Sequence, residues 1–321
     1  MKKIFSKEDF LKNWKILKAA FSGFFEDKGL KLSASLAYTT IFSMGPMLLL
    51  IMSLASIFFG QDAIEGRLFS QINGLLGASA AKQIQDIIKN IQVSGKTNFA
   101  LAASIIVLVL GASSLFAEIQ DSLNIIWRVK AKPKRGWVNF LKNRLLSVSL
   151  IVSLGFLLVV SLIINGLMQM LSDALTKYFS SVAVFVISFI NFIITLAVIA
   201  LIFGIIFKVL PDAKIKWKNV RTGAIFTSIF FMIGQLLIAL YIAKTGAGSA
   251  YGAAGSIIII LVWVYYASAI LYIGAEFTQA YSEASGSRIE PADYAVYVEQ
   301  KEIEKKVAVL PKQHEELNTG K

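Results

Sequence analysis

The stretch "YGAAGSIIIILVWVYYASAILYIGAEF", residues 251–277, decides the fold. From Ile257 to Ala275 it carries 19 residues without a formal charge. A helix needs about 20 mainly apolar residues to cross a hydrocarbon core, and shorter runs are usual in soluble cores. The stretch therefore reads as a membrane span that opens on glycines and closes on a carboxylate, Glu276. Composition agrees: 56% of the 321 residues are hydrophobic and 16% charged, where soluble domains carry about a quarter charged. Mean hydropathy is +0.67.

Five more runs of this kind precede it, so that six spans are expected at about 32–59, 98–117, 145–170, 180–207, 222–243 and 253–276. Pro211 follows the fourth as a stop signal. With both termini inside, 26 of the 32 Lys and Arg fall on cytoplasmic segments, and the outer loops keep only Arg67, Lys82, Lys89, Lys96, Lys177 and Lys244. That asymmetry is the positive-inside rule. It also accounts for most of the net charge of +12, so the charge does not argue for nucleic acid. The expected architecture is an all-α, polytopic, multi-pass membrane protein with both termini cytoplasmic.

Residues 1–31 read as a basic amphipathic helix and not as a cleavable signal, because the first apolar run begins too late. Phe10, Trp14, Leu17, Phe21 and Phe24 recur at helical spacing opposite Lys12, Lys15 and Lys18, a pattern suited to anionic inner-leaflet lipid. Two short amphipathic helices are expected in 60–97. The membrane domain spans 32–283, and 284–321 reads as a polar cytoplasmic tail, largely disordered, with a short helix over 299–306.

Six stretches together carry a family likeness: "SASLAYTTIFSMGPMLLL" (33–50), "NIIW" (124–127), "VLPDAKIKW" (209–217), "TGA" (222–224), "YGAAGS" (251–256) and "GAEF" (274–277). In this order and spacing the chain resembles the YihY/BrkB-like inner-membrane family, also labelled ribonuclease BN, over roughly residues 10–285. The resemblance implies a six-span inner-membrane protein and supplies no mechanism.

The residues do not favour the nuclease label. Metal-dependent hydrolysis needs converging carboxylates or imidazoles. Here cysteine is absent, the single histidine is His314 in the tail, and no phosphate loop, nucleophile elbow or cofactor fingerprint is present. The expectation is no enzyme, no metal and no cofactor.

Ionisable groups near membrane depth mark pathways or pairs. Glu276 lies 21 residues beyond Gly255, about 32 Å along a helix, which puts it at the inner boundary. It either anchors an ion pair with Arg144, Arg221 or Lys208, or joins Glu118, Asp121 and Asn124 at the inner mouth of a polar cavity. On a continuous helix those last three share a face, with Trp127 and Arg128 then at interface depth. Pro46 is expected to kink the first span. Gly248, Gly252 and Ser256 are spaced for close helix packing, and Gly255 joins them if 245–254 is instead an unwound segment. Ser43, Asn165, Gln169, Asn191 and Gln235 are polar residues able to line a cavity or to bond between helices. The function expected is passage of a lipid or small amphiphile, with a non-transporting envelope scaffold as the alternative. Membrane lipids are the expected partners, and a homo-oligomer is left open.

Overall fold

The computed structural model describes residues 7–59, 98–132, 181–245 and 255–299, together with Lys82 and Val309. In chain order these form helices α1 (Lys7–Glu26), α2 (Gly29–Phe59) and α3 (Asn98–Ile126), strand β1 (Val129–Ala131), helix α4 (Ser181–Val209) and strand β2 (Ala213–Lys214). Helices α5 (Trp217–Thr245) and α6 (Gly255–Ala284) and strands β3 (Glu290–Pro291) and β4 (Ala295–Tyr297) follow. Among the described residues three stretches are helical, long and apolar enough to cross a membrane: Phe189–Val209, Trp217–Ile238 and Ile257–Ala284. They coincide with the expected spans four, five and six. The expected spans one and two lie inside α2 and α3. The third span and the amphipathic helices of 60–97 lie outside the described residues, apart from Lys82.

The stretch that opened the reading is the centre of the bundle. Helices α1, α2, α3 and α5 all pack on α6, while α4 packs on α5 and α2 on α3. The crossing of α5 and α6 is built from one short motif used twice, "GAIFT" (223–227) and "GAEFT" (274–278). Thr227 Oγ1 donates to Gly223 O at 2.7 Å within α5, and Thr278 Oγ1 donates to Gly274 O at 2.6 Å within α6. Each threonine then lies on the glycine of the other helix, where a Cβ would collide with it. The two phenylalanines of the motif, Phe226 and Phe277, stack at 3.8 Å and 5°. Small residues allow backbones this close, and in a bilayer such packing replaces the missing hydrophobic force.

Helix α1 corrects one expectation. Its apolar residues do not form a single lipid-facing side: Ile16, Ala20 and Phe24 are buried, while Phe10 and Trp14 stay 66% and 57% exposed. The buried side packs on α6 because Gly23 permits the approach. Pro46 sits within α2, whose helix continues through it without a break.

The tail is a second correction. Residues 285–299, expected in a disordered segment, fold back onto two interhelical linkers. Strand β4 pairs antiparallel with β1 (Val129↔Tyr297), and β3 with β2 (Ala213↔Pro291). The bonds Lys132 N to Tyr294 O and Val298 N to Arg128 O, both 2.8 Å, extend the first ladder. Backbone groups emerging from the helix ends need partners, and the tail supplies them. Glu299, where a short helix was expected, is not helical, and the rest of that segment lies outside the described residues.

Candidate polar cavity at the charged ends of the helices

Past its apolar part, α3 continues as "AEIQDSLNII" (117–126), so Gln120, Asp121 and Asn124 come round within about one turn of each other. Arg128 then ends the helix with φ of 54°, in the left-handed region. That conformation costs a side chain roughly 1–2 kcal/mol. Two contacts offset it: the start of β1, and a salt bridge from Arg128 Nη2 to Asp27 Oδ1 at 3.1 Å. Asp27 precedes Lys28, the left-handed residue (φ 56°) of the turn between α1 and α2. One ion pair thus staples two chain reversals.

Between them is a cavity of about 490 Å³, lined by Asp27, Gln120, Asp121, Asn124, Arg128 and Asp212, with Lys130 at its edge. Asp212, 3% exposed, organises it. Its Oδ1 accepts from Gln120 Nε2 at 3.1 Å and from the Tyr294 hydroxyl at 2.9 Å, and its Oδ2 accepts from Asn124 Nδ2 at 2.8 Å. Its backbone amide donates to Asn124 Oδ1 at 2.9 Å, and its carbonyl accepts from Ala292 N at 2.9 Å. A buried carboxylate with neutral donors on both oxygens is satisfied without a counter-ion. It joins α3, the α4–β2 turn and the tail in one network.

The electrostatics follow from this crowding of acids. Burial raises Asp27 above the usual carboxylate range and Glu26 adds to this, while Arg128 and a hydrogen bond with Glu276 oppose it. Asp121, exposed at the cavity, is raised first by desolvation from the protein around it, then by Glu118 and Asp212. Burial, followed by the Asp212 charge and hydrogen bond, pushes the Tyr294 hydroxyl up to about 12.

Glu276, 6% exposed, stands behind the cavity wall and reaches it through Asp27. Its Oε2 lies where a Cβ on Gly23 would come within 2.5 Å, so Gly23 makes room for it between α1 and α6. Its Oε1 has no hydrogen-bond partner among the described residues. The expected ion pair is not formed with Lys208 or Arg221. Lys208 Nζ donates to Ile215 O and lies 5.9 Å over the Trp217 ring, Arg221 is exposed, and Arg144 lies outside the described residues. Trp127 is not an outward belt residue: it is buried and donates from Nε1 to Ala275 O at 3.2 Å, beside Glu276.

Of the residues singled out by sequence, Asp121 and Asn124 meet at the cavity, Glu276 joins indirectly, and Glu118 stands off the lining near Asp121. Gly255 and Ser256 open α6, whereas Gly248 and Gly252 lie outside the described residues. Ser43 bonds across to Ser114 at 2.8 Å, tying α2 to α3. The sequence reading singles out none of Asp27, Gln120, Asp212 and Tyr294. Asp212 left a signal, a lone acid in a linker of five basic residues, 208–221. Tyr294 left none. Among the described residues no three acidic or imidazole side chains gather in a way that would hold a metal ion.

The pattern that defines the family described as Virulence factor BrkB matches residues 20–295, from within α1 to the start of β4. A UPF0761 membrane protein of Verminephrobacter eiseniae is 28% identical over 252 residues, which are 77% of this chain and 57% of that protein. UPF0761 membrane protein NTHI0384 of Haemophilus influenzae is 26% identical over 285 residues, 87% of this chain and 98% of that one. The ribonuclease-like protein YfkH of Bacillus subtilis is 25% identical over 264 residues, 81% and 92% of the two chains. The chain spans about three fifths of the length of its relatives from V. eiseniae and Methylibium petroleiphilum. No solved structure matches it. With the ordered motifs, the apolar helices and a match that includes the tail strands, the chain belongs to the BrkB family of membrane proteins.

Proposed function

We propose that this chain is a six-span protein of the bacterial inner membrane, with both termini cytoplasmic, that passes a lipid or small amphiphile across or between leaflets. In this reading the membrane domain is 32–283, flanked by the basic helix of 1–31 and by a cytoplasmic tail, and no covalent step is involved. The observation that carries it is the charge pattern of the cavity. Three carboxyl groups (Asp27, Asp121, Asp212), two amides and two cations (Arg128, Lys130) surround about 490 Å³ where the apolar helices give way to charged linkers. A headgroup with one pole of each sign fits such a lining: an ammonium on Asp121, which has no partner among the described residues, and a phosphate on Lys130, with Arg128 between. Carboxylates without imidazole support passage over hydrolysis.

The test is lipid flux in liposomes holding the purified chain, with a phosphatidylethanolamine labelled on its acyl chain, so that the ammonium stays free, and bleached from outside. Wild type should exchange label faster than protein-free vesicles, and Asp121→Asn and Lys130→Gln should slow it while the fold survives. Equal rates in all of these would end the transport reading. A scaffold is the second reading, favoured by the exposed Phe10, Trp14 and Phe25 on α1, which offer a partner or a leaflet an apolar edge.

A further inference from the structure

A groove of about 720 Å³ runs between α4 and α5, away from the polar cavity. Its floor is made of small residues, Ala197, Ala200 and Gly204 on α4 and Ala224 on α5. At Gly204 an added Cβ would meet Ala224 Cβ in ordinary contact at 3.7 Å, so the floor of the groove is shaped by the absence of larger side chains. One end of the groove is different in kind. There Trp217, Lys218 and Arg221, all exposed, stand in the first turns of α5.

Two features of that end ask for an anion. First, cations at a helix amino terminus oppose the macrodipole, which favours negative charge there. The first turn of α5 holds no acid, and neither Lys218 nor Arg221 has an acidic partner among the described residues. Second, Trp217 is held at the mouth by Lys208, 5.9 Å above its ring, and an indole belongs where headgroups meet chains. An apolar slot ending in unpaired cations and an interfacial tryptophan matches a molecule with an acyl chain and a phosphate.

We propose that the groove between α4 and α5 seats one acyl chain of an anionic glycerophospholipid, whose phosphate is held by Lys218 and Arg221. The charge complementarity commits the site to an anionic lipid and not to a zwitterionic one, whose ammonium would meet two cations. The site does not depend on translocation: it would exist equally in a scaffold.

The experiment uses the full chain, purified in a neutral detergent, with phosphatidylglycerol and phosphatidylcholine of matched chains as probes. Retention is read by native mass spectrometry and stability by thermal melting. Wild type should keep phosphatidylglycerol and melt several degrees higher with it, and gain little from phosphatidylcholine. Lys218→Gln with Arg221→Gln should weaken phosphatidylglycerol retention on the order of 25-fold, at about fivefold per cation. Gly204→Leu, which fills the slot and leaves both cations, should lower retention without reversing the headgroup preference. Equal retention of the two lipids by wild type would overturn the proposal, and so would a preference that survives the double substitution, since it would then belong to another basic surface such as α1. The chain has no cysteine, so introduced pairs report cleanly. A disulfide from Ala200→Cys to a cysteine placed in 145–170, with lipid retention indifferent to Gly204→Leu, would show that the chain's own third span fills the groove.

Discussion

Gly223→Ala is the sharpest perturbation available in the bundle. The new methyl would stand 2.9 Å from Thr278 Cβ and closer still to its Oγ1. Real Cβ atoms essentially never come within 3.0 Å of such neighbours. Nor can the hydroxyl swing aside without loss, because it is bonded to Gly274 O. The helices must therefore part, which separates the Phe226–Phe277 stack and loosens the mirror contact of Thr227 on Gly274. Overpacking costs about 1–3 kcal/mol, and the upper part of that range is expected here. At roughly 2–4 °C per kcal/mol the melting temperature should fall by about 4–10 °C. The assay is thermal melting of the purified chain in one detergent, run as a double-mutant cycle. Thr278→Ala removes the closest collision, at Oγ1, and leaves its Cβ 2.9 Å away, so it should return part of the loss, a coupling of about 1 kcal/mol. Thr227→Ala, on the other side of the crossing, should not. Gly204→Ala is the control of opposite sign: its Cβ meets only ordinary contact at 3.7 Å, and a mid-helix glycine replaced by alanine gains up to about 1 kcal/mol. If Gly223→Ala melts like wild type, or Thr278→Ala fails to compensate, the motif is not the crossing point described.

Gly23→Ala should displace the Glu276 carboxylate and free α1 from α6, seen as faster amide exchange over 16–26 with little change in α5. Tyr294→Phe leaves Asp212 one donor short, about 0.5–1.5 kcal/mol, and should raise exchange in 290–298. Because the folded Tyr294 hydroxyl titrates near 12, above its ordinary value, its stability contribution is complete below about pH 10 and lost as pH rises toward 12. The Phe variant should lack that alkaline loss. Asp121, also raised, makes the fold less stable as pH climbs out of the ordinary carboxylate range, since the folded state holds its proton longer. Asp121→Asn should flatten that part of the melting profile, and a profile unchanged by the substitution would contradict the crowding of acids described.

The sequence alone was enough to determine that this is a mostly helical membrane chain, because 19 uncharged residues in a row have few other stable homes. It placed the starts of the helices at Ser181, Trp217 and Gly255 within a few residues, and the stop before Pro211, since span length and proline geometry are local properties. The repeated G-A-x-F-T is visible in the sequence as two pentapeptides alike at four of five positions in consecutive spans, although its meaning as a crossing needs both helices in place. What only tertiary structure decided is which charges meet. Asp27, Asn124, Asp212, Glu276 and Tyr294 come from five separate segments, and no periodicity links an acid in a turn, Asp212, to a tyrosine 82 positions later. The tail looked disordered because its composition is polar. It folds because β1 and β2 present backbone donors and acceptors that only the assembled helix ends expose.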